Sequence, residues 1–133
     1  MTALSATGAP TLHLCHNYRQ LLHALIDASR DAGPTTILYL QDNLPVPESA
    51  HASLAALCPA AHLAFMSDRA MAAEFANLPR FLPAILRRNL RVPVHGGAVP
   101  IRWRPPDFAS TGFGTGYIYH PGVFSAKVFA GMC

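Results

Sequence analysis

Two histidines close short apolar runs near opposite ends of the chain: His16 ends TLHLCH and His120 ends TGYIYH. An imidazole can take, give or share a proton near neutral pH, so a histidine mounted at a strand end suits acid–base or hydrogen-bonding chemistry. Asn17 and Gln20 follow the first of these histidines, and Gly122, Ser125 and Lys127 follow the second. Both groups fall where a helix is expected to begin, and helix N-termini offer backbone N–H groups to anionic ligands. The competing reading for each residue is structural, with the side chain capping a neighbouring helix or loop.

Other chemistries lack support. The remaining histidines (His13, His23, His51, His62 and His95) form no HExxH motif, no i, i+4 pair and no pattern with cysteine, so no metal site is expected. Cys15, Cys58 and Cys133 are three, widely spaced and without a CxxC, which predicts reduced thiols and neither a disulfide framework nor a zinc site. The glycines of GFGTG (Gly112, Gly114, Gly116) precede a strand, whereas a dinucleotide-binding loop must follow one; a flexible loop is expected there. No Walker A sequence, nucleophile elbow or close acidic pair occurs. No cofactor is expected.

The elements that would carry the two histidines can be read from periodicity. TLHLC reads as a strand, and Asn17 stands three residues before Gln20 like the two members of a capping box. The helix they open is predicted over 18–32, burying Leu21, Leu22, Leu25 and Ala28, with Gly33 and Pro34 as its stop. TTILYLQD (35–42) is a β-branched and aromatic run typical of a buried parallel strand. A helix over 48–57, with Leu54 and Leu57 turned inward, leads to a weaker strand over 62–66. Ser67 then caps a helix over 68–77, and a further helix is expected over 83–90. The proline- and glycine-rich stretch 91–116 argues against regular structure, TGYIYH is a fourth strand, and the last residues form a short helix.

This alternation predicts a Rossmann-like three-layer α/β/α fold of about four parallel strands with helices on both faces. Residues 1–10 are expected to be frayed and 11–133 to form one domain. With the common doubly wound order 3-2-1-4, strands one and four adjoin at the reversal point, and His16 faces His120 across the crevice there. A sheet that stops after four strands also leaves an open edge, which implies a missing partner domain or a homo-oligomer.

The composition is 51% hydrophobic and only 13% charged, so some of the surface is expected to be covered. No apolar run approaches the roughly 18 residues of a membrane span, and no secretory leader is visible. A cytoplasmic location is expected, peripheral to the inner membrane if the basic segment docks there. That segment carries Arg80, Arg87, Arg88, Arg91, Arg102 and Arg104 with no acidic residue, while the rest of the chain holds four basic and seven acidic ones. On a helical wheel, Phe81, Leu82, Ile85, Leu86 and Leu90 fall on one side of it and most of the arginines on the other. The functional reading is contact with an anionic membrane surface or a phosphorylated acceptor; the structural one is a solvated helix face. Nucleic acid is not expected, because no reading module or interleaved aromatics accompany the arginines.

TLHLCHNYRQLLHAL resembles the opening strand, turn and leucine-rich helix of bacterial GT-B glycosyltransferases that build surface polysaccharides. The likeness is to the sialyltransferase-like enzymes of glycosyltransferase family 52 and to capsular polysialyltransferases, and YIYHPGVFSAKVF resembles a later segment of the same domain. The resemblance implies an acceptor-side N-terminal domain in capsule or lipopolysaccharide synthesis, with His16, Asn17 and His120 lining the cleft. It further implies a nucleotide-sugar donor and a glycan acceptor as ligands, and a second domain that binds the donor. On that reading the chain is half of a two-domain enzyme and inactive alone. The alternative is a small non-catalytic α/β module that binds an anionic ligand or a partner protein.

Overall fold

The computed structural model describes residues 10–30, 33–77, 103–108, 111–120 and 122–133. Four parallel strands, β1 (Thr11–Cys15), β2 (Thr35–Leu40), β3 (Ala61–Met66) and β4 (Thr115–Ile118), form one sheet in the order β3-β2-β1-β4. Pairing aligns Thr11 with Thr35 on one side and with Thr115 on the other, and Thr35 with Ala61. The chain therefore winds outward through β1, β2 and β3, then returns past its starting strand to add β4. That reversal falls between β1 and β4, as the strand pattern predicted.

Strand alternation divides the core into two layers. Leu12, Leu14, Leu38 and Leu40 point to one face, where α3 (Asp68–Ala76) contributes Met71 and α4 (Phe124–Ala130) contributes Ala126, Val128 and Phe129. Cys15, Ile37 and Tyr39 point to the other, against Leu21, Ala24, Leu25 and Ala28 of α1 (Tyr18–Arg30). There α2 (Glu48–Leu57) adds Ala50 and Leu54 at the margin. The central strands have apolar residues on both faces because both faces are covered, which is the rule for parallel sheets. The result is the three-layer α/β/α arrangement expected from the sequence.

Several boundaries and faces depart from expectation. The second strand ends at Leu40 rather than Asp42, the third begins at Ala61, and the fourth ends at Ile118, which sets His120 two residues beyond it. Leu22 and Leu57, both expected inside, are 58% and 67% exposed. The stripe of α1 runs through positions 21, 24, 25 and 28, and Leu22 lies about 100° around the helix from Leu21. GFGTG is tied down rather than loose: Phe113 is buried, its N–H donates to the Met132 carbonyl, and Gly114 N–H donates to Pro10. Gly116 admits the chain end, since a Cβ there would stand 2.6 Å from Cys133 Sγ. A 3₁₀ turn, Pro106–Phe108, interrupts the stretch expected to be irregular.

The helix expected over 83–90, the frayed segment 1–9 and Arg80, Arg87, Arg88, Arg91 and Arg102 lie outside the described residues. Among the described residues no helix is long and apolar enough to cross a membrane, and no cluster of three or more metal-ligating side chains occurs. Cys15, Cys58 and Cys133 are free thiols.

Candidate functional site: the carboxyl edge of the sheet

Each strand delivers chemistry-bearing residues at its carboxyl end. His16 follows β1, Asp42 and Asn43 follow β2, Ser67 and Asp68 follow β3, and His120 with Gly122 follow β4. Parallel strands place all four sets on one edge. The edge is hollowed into a cleft of about 370 Å³ lined by His16, Asn43, His120, Gly122 and Val123. A second hollow of about 190 Å³ adjoins it, sharing His16, Asn43 and Val123 and adding Leu40, Asp42, Asp68 and Arg69.

The histidines meet at the reversal point. Their rings stand edge to face with centroids 4.7 Å apart. His16 is buried to 9% exposure and His120 is exposed. Gln20 spans the pair: its Oε1 accepts the His16 backbone N–H at 2.8 Å, and its Nε2 lies 3.4 Å from Nε2 of His120. The first bond fixes the amide orientation, so the second is donated by the NH₂ group. His120 must then accept at Nε2, which leaves its ring proton on Nδ1 when neutral.

Asn17 serves α1 rather than the cleft. Its Oδ1 accepts the Gln20 N–H at 2.9 Å, as the N-cap pattern predicted. The reciprocal bond from Gln20 reaches one residue further back than in the usual capping box, to His16 N–H. This shift couples the cap to the histidine pair.

Carboxylates take the corresponding positions on the other side of the cleft. Asp42 accepts from Asp68 N–H at 2.7 Å, Arg69 N–H at 3.0 Å and the Ser67 hydroxyl at 3.1 Å. Ser67 itself accepts from Ala70 N–H, completing the predicted cap of α3. Asp68 Oδ1 in turn accepts both the N–H and the hydroxyl of Ser125, at 2.6 and 2.5 Å. Carboxylates at helix N-termini are stabilised by the partial positive charge there.

These contacts correct one expectation. The N–H groups of Gln20 and Ser125 were to be open to an anionic ligand, but protein oxygens already hold both. Ser125 is fully buried and Lys127 lies in the last turn of α4, so neither joins His16, His120 and Gly122 in lining the cleft. Arg104 donates through Nη1 to the Thr111 carbonyl, tying together the chain that precedes β4. Asp42, Asn43, Asp68 and Arg69 were not anticipated. The signal that found the histidines, a polar residue just past a strand, marks Asp42 and Asp68 equally.

Electrostatics follow from burial and neighbours. Burial lowers the pKa of His16, with His120 acting in the same direction, against an opposing pull from Asp68 and Asp42. Burial works to raise the pKa of Asp42, yet the N–H groups of Arg69 and Asp68 and the Ser67 hydroxyl bring it below the ordinary carboxylate value. At neutral pH the cleft therefore sets a neutral His16 imidazole beside an ionised Asp42 carboxylate. Burial pushes the Cys15 thiol up to about 12, so it is packing material and not a nucleophile.

No protein-family model, curated protein or solved structure matches the chain.

Proposed function

We propose that this domain binds a ligand at the carboxyl edge of its sheet, as the acceptor-side half of a glycosyltransferase for bacterial surface glycans. The observation that carries the reading is the meeting of His16 and His120 at the reversal point between β1 and β4. Open α/β sheets bind ligands at that position, because the helices on either side of the reversal diverge and leave a crevice. The glycosyltransferase part rests on the resemblance carried by TLHLCHNYRQLLHAL and YIYHPGVFSAKVF. His16 and His120 would orient the acceptor hydroxyl, and a second domain would bring the nucleotide sugar. The basic residues from Arg80 to Arg104 would face a lipid-linked or phosphorylated acceptor, or an anionic membrane.

Sugar transfer from nucleotide-sugar donors, assayed with and without a supplied donor-binding domain, tests this. Transfer only by the complemented protein, lost in His120→Ala, is the expected result. No transfer by the complemented protein contradicts it.

A non-catalytic module is the second reading, and a different surface favours it. Tyr18, Leu21, Leu22, Leu25, Val46, Pro47, Leu54 and Leu57 line an apolar hollow of about 320 Å³ between α1 and α2. Such a face suits a partner protein, a second copy or an adjoining domain. This reading predicts saturable binding without transfer in any combination.

A further inference from the structure

Exposed apolar surface is concentrated on one side of the domain. Among the described residues, the large apolar side chains left exposed are Tyr18, Leu22, Ile26, Leu44, Leu57 and Tyr117, and all but Tyr117 belong to the α1–α2 face. Tyr18, Leu22 and Ile26 recur every four residues and so form one ridge along α1. Leu57 lines the neighbouring hollow from α2, together with Tyr18 and Leu22. Leu44 is held beside the ridge: the Tyr18 hydroxyl donates to the Pro45 carbonyl at 2.8 Å and the Tyr39 hydroxyl to the Leu44 carbonyl at 2.6 Å. Each of the five is more than two-fifths exposed, and at roughly 200 Å² for a large side chain their uncovered parts come to roughly 500 Å². A standard interface takes about 800 Å² from each partner, and about 65% of a homodimer interface is apolar. The patch supplies that apolar share.

Charge selects the partner. Beside the ridge, the next row of α1 reads Arg19, His23, Asp27: basic at one end and acidic at the other, with His23 and Asp27 paired at 3.2 Å. A two-fold contact presents the same surface from both sides and must be self-complementary. When two such ridges meet antiparallel, Arg19 of one copy comes opposite Asp27 of the other, and the pairing occurs twice. We propose that the α1–α2 face is covered by a second copy of this chain, in an antiparallel two-fold contact of α1 with α1. The inference rests on the second reading's apolar face being an interface and names what covers it, whether or not the edge cleft carries transfer.

Sedimentation equilibrium of the full chain tests this. A reversible dimer is expected, weakened at least about tenfold in Leu22→Lys and in either Arg19→Glu or Asp27→Arg, since each reversal sets like charges opposite one another twice. An equimolar mixture of the two reversed chains restores both pairings, so a heterodimer of near-original affinity is expected. A chain that stays monomeric at millimolar concentration overturns the proposal and leaves the face to another protein or an adjoining domain; saturable ligand binding by that monomer would keep the module reading. A dimer indifferent to Leu22→Lys overturns the proposal as well. So do reversed chains that fail to restore each other while their amide spectra stay native-like.

Discussion

The two sides of the carboxyl edge solve the same backbone problem with opposite chemistry. On the β1 side, Asn17 and Gln20 satisfy the start of α1 with neutral amides, and the Gln20 NH₂ group donates to His120. On the β2 and β3 side, Asp42 and Asp68 satisfy the starts of α3 and α4 with charge. Neutral caps leave His16 in a setting governed chiefly by burial, and charged caps give the floor its sign. The cleft's polarity is thus a by-product of which residue type caps the start of each helix.

Breaking the charged side should cost most. Asp68→Ala strands two donors on fully buried Ser125, so a loss of about 3 kcal/mol is expected, read as a lower urea midpoint with an unchanged slope. A change under about 0.5 kcal/mol, the range of an ordinary surface substitution, would mean that α4 does not depend on this carboxylate. Asp42→Ala removes the acceptor of three partly exposed donors, and water can replace some of it. The expectation is about 1–2 kcal/mol by the same measurement.

The neutral side should yield less. Asn17→Ala is expected to cost about 1 kcal/mol, the usual worth of an N-cap, and to loosen the orientation of Gln20. Its second effect separates cap from cleft: the His120 imidazole signals should shift while those of His51, on α2, stay put.

The smallest effect concerns pH. His16 has a folded-state pKa below its unfolded value, so the unfolded chain binds more protons as pH falls. Its contribution is present above the unfolded value of about 6.5 and is lost as pH drops through the folded value. Stability measured between pH 7.5 and 5 should therefore decline, and the slope should flatten in His16→Gln. Asp42 has the same sign lower down: its contribution is present above the unfolded value of about 3.9 and lost through a folded value beneath that.

Local physics made the fold legible. Apolar runs on both faces of TLHLC and TTILYL mark central parallel strands, and Asn17, Gln20 and Ser67 act within four residues of their partners. The meeting of His16 and His120 was reachable from strand order alone. The places of Asp42 and Asp68 just past their strands were equally readable, but their bonds were not, because Asp42 reaches donors 25 to 27 residues away and Asp68 reaches Ser125 across 57. Sequence periodicity also misjudged Leu22 and Leu57, since leucine marks an apolar preference but not which side of a short helix the core will occupy.

The account turns on the two imidazoles sharing one site, and nuclear Overhauser effects between their ring protons test that most directly. The account predicts cross-peaks between His16 and His120, with the nitrogen shifts of the neutral His120 ring reporting its proton on Nδ1. Absence of cross-peaks between the two rings would contradict it.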